Sequence, residues 1–241
     1  MATETTVDSS DSGRGRFLES EHQLDIADGA DVIICGAGPA GVSAAVAAAR
    51  SGASVRLLEA HGCLGGVWTA GLLGYLLDLD KPGFALELAT RLRKRDALRG
   101  PGMAGLSYEP EEMKVLLEEL CLDAGVQIQL HTRVCAAYRT DNRLSTIVTE
   151  SKSGRQAWQA EVFIDATGDG DLSALAGCDW AMGEPSTEIG QPMSMTALLV
   201  AINATDLAEF IHPPDDAPAE TMEATKHALL AEIRRAGLEP S

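Results

Sequence analysis

Aromatic residues are scarce, at 4% of the 241-residue chain, which removes the stacked rings that hold single-stranded nucleic acid. Positive charge is scarce as well. Nineteen Lys and Arg stand against 36 Asp and Glu, a formal net charge of -17. Such a surface repels nucleic-acid phosphate and anionic membrane. The five cysteines (Cys35, Cys63, Cys121, Cys135, Cys178) are odd in number, widely spaced and without a CxxC pair. They imply no disulfide framework, no metal site and no iron–sulfur ligand set. No run of about 18 apolar residues exists to span a membrane. The polar, acidic start MATETTVDSSDSGRG lacks the apolar core of a secretory signal. A reducing, cytoplasmic setting is the expectation, with neither nucleic acid nor membrane as partner.

What remains is an ordinary globular composition, 45% hydrophobic and 23% charged, enough for one large domain or one and a half. Residues 1–29 carry seven Asp/Glu against two Arg and read as an acidic, largely disordered tail.

The informative stretch is DVIICGAGPAGVSAAVAAARSGASVRLLEAHGCLGG, residues 31–66. Val32 to Cys35 reads as a buried strand, Gly36-Ala37-Gly38-Pro39-Ala40-Gly41 as a glycine turn, and Val42 to Arg50 as a small-residue helix. Ala53 to Leu58 reads as a second strand closed by Glu59. This is the fingerprint of a dinucleotide-binding βαβ unit. Gly36 lets the chain turn off the strand, Gly38 lets a pyrophosphate approach, and Gly41 lets helix and sheet pack. The helix N-terminus offers free N–H groups and the positive end of its dipole. Glu59 stands where a carboxylate accepts from ribose hydroxyls and repels a 2′-phosphate.

Further along, Gly83 to Arg95 has helical character, and residues 96–108 read as a flexible loop. A helix begins at Pro110, with Met113, Leu116, Leu117, Leu120 and Cys121 on one face, and ends at Gly125. Val126 to Leu130 reads as a strand. Val134 to Arg139, Leu144 to Thr149 and Gln156 to Ile164 read as a three-stranded meander with turns at Asp141-Asn142 and Ser153-Gly154. Phe163-Ile164-Asp165-Ala166-Thr167-Gly168-Asp169-Gly170-Asp171 reads as a last parallel strand, a glycine turn and a short helix. Beyond Cys178, Met193 to Ile202 reads as a strand, 212–220 as a linker and Thr221 to Ala236 as an amphipathic helix.

A fingerprint alone does not separate NAD from FAD, and an NAD-binding dehydrogenase domain stays open at this point. The doublet Gly65-Gly66, followed by Thr69, suits a cofactor that continues past the adenosine. The meander also departs from a plain NAD domain, which keeps alternating strands and helices. The fingerprint together with FIDATGDGDLSALAG resembles the FAD-dependent oxidoreductase family of the glutathione-reductase-like flavoprotein fold, over residues 28–203. Within it the chain most resembles the bacterial branch related to the flavin-binding component of heterodisulfide reductase. The resemblance implies an α/β fold: a Rossmann-type FAD-binding domain at 30–180 with a parallel sheet and a β-meander insertion. The start of an incomplete, partial α+β substrate or cap domain would fill 181–241.

The resemblance implies FAD as cofactor. Gly36, Gly38, Pro39, Ala40 and Gly41 would face the pyrophosphate, and Glu59 the adenosine ribose. Gly65, Gly66 and Thr69 would lie along the ribityl–pyrophosphate side, Val134 at the adenine, and Thr167, Gly168 and Asp169 at the last strand. It implies hydride or electron transfer with a small-molecule substrate or redox partner, in a homo- or hetero-oligomer. Such flavoproteins return near their end to the flavin, and nothing up to Ser241 matches that return. A C-terminally truncated form, or a non-catalytic FAD-binding subunit completed by a partner chain, is therefore also expected.

No catalytic acid, base or nucleophile stands out. Cys63 lacks the second cysteine of a dithiol reductase and reads as a small packed side chain. His61 reads as a loop residue, Trp68 as core, and Arg91, Arg93, Lys94 and Arg95 as a solvated face. Asp171 reads as a helix cap, and Asp169 as a cap or a cofactor ligand.

Overall fold

A computed structural model describes residues 23–76, 82–99, 106–187 and 219–237, with isolated positions between 189 and 210. The first 22 residues of the expected tail, nearly all of the strand expected at 193–202 and most of the linker expected at 212–220 lie outside the described residues.

The βαβ unit forms as its sequence requires. Strand β1 (Ala30–Cys35) runs into helix α1 (Pro39–Arg50) and returns as β2 (Val55–Leu58), parallel to β1. Pro39 opens α1 at a position where a missing N–H costs nothing. A three-residue 3₁₀ turn, Gly66–Trp68, then leads to β3 (Tyr75–Leu76), α2 (Phe84–Lys94), β4 (Leu98–Arg99), β5 (Leu106–Tyr108) and α3 (Pro110–Asp123). Strand β6 (Gln127–Gln129) adds to β2 in parallel. A meander of β7 (Thr132–Thr140), β8 (Arg143–Ser151) and β9 (Gly154–Asp165) follows, then α4 (Asp171–Leu175) and α5 (Ala219–Arg235).

The main sheet has the order β6-β2-β1-β9-β8-β7. Its core lies on both faces. Ile34, Val55 and Leu57 pack against α1 and α3 through Val42, Ala45, Leu116, Leu117 and Leu120. The alternate residues Ile33, Cys35 and Leu58 pack on the other face against Val134, Ile147 and Trp158 of the meander. Strands covered on both sides read as continuous apolar runs, which is why Val32 to Cys35 shows no alternation. The α/β class expected from the sequence is the one observed.

Two expectations are corrected. The third meander strand and the last parallel strand are one element. The first half of β9 pairs antiparallel with β8 (Thr146↔Gln159 to Ser151↔Gly154), and its second half pairs parallel with β1 (Ala30↔Ala160 to Cys35↔Asp165). No turn residue interrupts Gln156 to Asp165, so the chain changes partners without ending. Residues 96–108 are not simply a loop. Leu98↔Tyr108 and Tyr75↔Ser107 make a three-stranded antiparallel sheet, β3-β5-β4, whose strands are too short to show a period.

Buried Tyr108 anchors that sheet, its hydroxyl 2.8 Å from the carbonyl oxygens of both Trp68 and Leu73. The single proton serves one carbonyl at a time. Tyr108→Phe should lower stability by about 0.5–1.5 kcal/mol, read as a reduced urea midpoint at unchanged slope. An unmoved midpoint would mean that both carbonyls are satisfied without it.

Two of the four residues in the basic run at the end of α2 are paired with acids. Arg91 bridges Glu87 (3.0 Å) and Asp123 (3.6 Å), and Arg95 bridges Glu112 and Glu119 of α3. Trp68 packs against the helix-side core, as expected.

Candidate functional site

The carboxyl ends of β1, β2 and β9 converge on a cavity of about 840 Å³. This is where an open α/β sheet binds ligands, because the strands on either side of β1 are reached by chain running in opposite directions. Its wall includes Gly36, Gly38, Pro39 and Ala40 from the first turn and Leu58 to His61 from the end of β2. The strip Thr132 to Val134 and the run Asp165 to Asp171 complete it, with Gly66 and Val67. A second, more open concavity of about 680 Å³ lies at the other end of β1. Its polar groups satisfy one another there, with Arg143 on Glu161 at 3.0 Å and Ser54 Oγ on Asp31 at 2.7 Å.

The first turn has the shape a phosphate cradle requires. Gly36 sits at φ +95°, and a Cβ there would overlap the Ala166 carbonyl; a Cβ on Gly41 would overlap the Gly36 carbonyl. A Cβ on Gly38 would meet nothing within 4 Å, so that glycine leaves open space rather than relieving a clash. Helix α1 starts behind it with no side-chain cap and no acid in its first turn. Its first amides are left for a ligand, at the positive end of the dipole.

Glu59 is buried and faces this turn. Its Oε2 accepts from the Ala37 amide at 2.6 Å, and its Oε1 accepts from the His61 amide at 2.8 Å and stands 2.9 Å from His61 Nδ1. The acid that closes β2 is thereby tied to the glycine turn that closes β1. Strand β7 starts alongside, its Thr132 amide donating to the Glu59 carbonyl at 2.8 Å. The meander thus crosses over the strand ends and brings Val134 to the cavity. As the edge strand of the sheet, β7 leaves backbone groups on its outer side for a ligand to pair with.

The run after β9 is organised by Asp165. Its Oδ1 accepts from the Thr167 amide (3.1 Å) and hydroxyl (2.7 Å), and its Oδ2 accepts from the Ser173 amide (2.8 Å). The Thr167 hydroxyl in turn accepts from the Asp171 amide at 2.8 Å. Burial works to raise the Asp165 carboxyl, but the bonds from Ser173 and Thr167 outweigh it and hold the group below the usual aspartate value. The cap expected at Asp171 is corrected. Asp171 is the first residue of α4 and Gly170 its N-cap, without a side-chain bond. Thr167 and Asp165 reach the orphan amides instead. Beside them, burial and then the charge of Asp165 push the Cys35 thiol up to about 12, so it stays protonated and is not a nucleophile.

Ten of the thirteen sequence-predicted residues line the cavity: Gly36, Gly38, Pro39, Ala40, Glu59, Gly66, Val134, Thr167, Gly168 and Asp169. Gly41, Gly65 and Thr69 do not. Gly41 packs under the turn, as its spacing suggested. Thr69 is fully buried, with its hydroxyl on the Leu64 carbonyl at 2.5 Å. Gly65 donates its amide to the Ala37 carbonyl at 2.7 Å, and a Cβ there would run into Thr69 and Leu117. The doublet therefore props the first turn from behind, and only Gly66 reaches the cavity. Sequence reasoning missed Thr132, Arg133 and Ser173. Arg133 is a cation on a wall otherwise lined by Glu59, Asp165, Asp169 and Asp171, and it follows no motif. Among the described residues no cluster of His, Cys, Asp and Glu could hold a metal ion, and no helix is long and apolar enough to cross a membrane.

Comparison with known proteins adds to this geometry. The chain is similar in structure to a flavin-dependent brominase, at 14% identity over 62% of this chain and 41% of that one, TM-score 0.50. It is also similar to a geranylgeranyl bacteriochlorophyll reductase-like protein from Thermoplasma acidophilum (18% identity, 64% and 43% covered, TM-score 0.48). A third is a myxobacterial chondrochloren halogenase, described as a variant of FAD-dependent halogenases (20% identity, 60% and 38% covered, TM-score 0.47). The chain thus spans about two fifths of the length of each. At such identity the likeness shows the fold alone. No curated protein matches the chain. Residues 31–239 match the family described as FAD dependent oxidoreductase. The cavity closed by Glu59 at the glycine turn has the donors and the open floor that a dinucleotide needs, and the chain belongs to the FAD-dependent oxidoreductases, with FAD as its cofactor.

Proposed function

We propose that this chain is the FAD-binding part of a flavoenzyme that transfers a hydride or electrons between the flavin and a small-molecule substrate or redox partner. The observation that carries this reading is the buried Glu59 carboxylate, held against the glycine turn at the mouth of the cavity. When bound, FAD supplies the redox chemistry. The chain's own residues bind and orient it. Gly36 and Gly38 shape the turn, and the first amides of α1 take the pyrophosphate. Glu59 accepts from the adenosine ribose and Val134 offers backbone to the adenine. Thr167, Gly168 and Asp169, held by Asp165, close the site from β9. Gly41, Gly65 and Thr69 pack behind this shell.

The Gly65-Gly66 doublet and the turn after β9 favour the glutathione-reductase-like fold and its heterodisulfide-reductase-related branch. Residues 30–180 would be the FAD domain and 181–241 the opening of a substrate or cap domain. A reducing, cytoplasmic setting fits five cysteines that are all unpaired.

Glu59→Ala tests the reading. Charge-assisted hydrogen bonds are each worth about 1.5–3 kcal/mol, so retention of FAD should fall by roughly 10- to 100-fold in dissociation constant. Flavin absorbance after gel filtration reads it. Unchanged retention would sink the ribose assignment, and a protein that stays colourless after incubation with FAD would sink the whole reading. A second reading is a non-catalytic FAD-binding subunit completed by a partner chain. Bound flavin that dithionite bleaches and no nicotinamide donor reduces would support it.

A further inference from the structure

The Glu59 carboxylate has more partners than a ribose ligand can keep. Two oxygens offer about four acceptor positions. On Oε2 one is taken by the Ala37 amide at 2.6 Å, and on Oε1 both are taken, by the His61 amide at 2.8 Å and the His61 ring at 2.9 Å. One position is left, on Oε2. A ribose diol brings two donors. The two main-chain amides cannot leave without moving the glycine turn or the end of β2. The imidazole can leave, because the His61 side chain is 74% exposed against 8% for Glu59 and lies on the wall of the same cavity.

We propose that the His61 ring occupies one of the two ribose positions on Glu59, so that the adenosine ribose binds by displacing it. His61 is then a specificity-determining residue that competes with the cofactor. It keeps the buried carboxylate satisfied and aimed at the cavity, and it sets how tightly the adenosine half is held. The bond requires the proton on Nδ1. A ring that swings out into solvent loses this hydrogen bond and nothing else. The inference rests on the reading of Glu59 as the ribose ligand.

FAD titration of the full chain, followed by flavin fluorescence, tests it. His61→Ala should tighten FAD binding about 2- to 10-fold, the equivalent of one net hydrogen bond of about 0.5–1.5 kcal/mol. In a Glu59→Ala background the same change should have no effect. In nitrogen-15 imidazole spectra, the Nδ1-protonated form of His61 should give way on adding FAD. If His61→Ala leaves FAD affinity unchanged or weakens it while Glu59→Ala weakens it, the competition is wrong and the ribose assignment stands. If Glu59→Ala has no effect, both fall. An Nδ1–H signal that persists in the FAD complex overturns the displacement directly.

Discussion

Gly36→Ala and Gly41→Ala will destabilise the fold, whereas Gly38→Ala will leave the fold intact and lose the cofactor. All three glycines belong to one motif, and the structure separates their duties. At Gly36 the backbone lies at φ +95° and an added methyl would overlap the carbonyl of Ala166, which follows β9. At Gly41 it would overlap the Gly36 carbonyl, with Ala166 Cβ only 3.3 Å away. Neither obstacle is a flexible side-chain end. Both are backbone or its first carbon in the middle of the sheet, so relief means shifting β9 or α1. Backbone strain and overpacking together put the loss at about 2–5 kcal/mol for each.

Gly38 differs. Its φ is -67°, open to any residue, and its methyl would meet nothing within 4 Å. That space is the cavity. Gly38→Ala should therefore keep its urea midpoint within about 0.5 kcal/mol of the parent and weaken FAD binding at least about tenfold, roughly 1.4 kcal/mol. Urea unfolding and FAD titration on the three variants decide it. Equal loss of stability at all three positions would mean that the glycines serve packing alone.

Asp165→Ala should be the second largest effect, and it should vanish in acid. The carboxylate accepts three hydrogen bonds that tie the end of β9 to the turn and to the third residue of α4. Bonds to a charged acceptor are worth about 1.5–3 kcal/mol each when buried. Asp165 is only partly buried, so solvent discounts the sum, and the expected loss is about 1–3 kcal/mol at neutral pH. Its carboxyl titrates below the ordinary aspartate value when folded. The stabilisation is therefore complete above the unfolded value of about 4 and is lost as pH falls through the lower, folded one. Melting curves of parent and variant should run parallel above about pH 5 and converge in the acid range. A gap that persists at the lowest pH would mean that the aspartate acts through packing rather than charge. Asp165→Asn should recover part of the stability, because one acceptor oxygen remains.

Legibility in the sequence followed distance along the chain. The βαβ unit could be read because its parts are local. Turn, helix and acid fall within residues 31–66, and each is set by its neighbours through backbone sterics and apolar spacing. Helix α3 was legible for the same reason, with Pro110 at its start, Gly125 just past its end and the core face Met113, Leu116, Leu117, Leu120 and Cys121 buried as spaced. The small sheet within 75–108 was not. Its strands are two or three residues long, and what holds them is the pairing of Tyr75 with Ser107. The rear face of the site was equally hidden. Thr69 looks like a polar residue beside a glycine doublet, and only its burial against Leu64 turns it inward.

Sequence alone determined the class of ligand and the local parts of the βαβ unit, because a tight turn, a helix N-terminus and a strand-end carboxylate are properties of consecutive residues. Tertiary structure decided which of the residues in that unit line the cavity. It put Arg133 and Thr132 on the cavity wall by laying β7 across the strand ends, joined two expected strands into β9, and gave the helix-capping duty to Asp165 rather than Asp171. It also set His61 on Glu59. Each of these depends on which atoms solvent is excluded from and on partners supplied by other elements, and no local pattern of residue types encodes that.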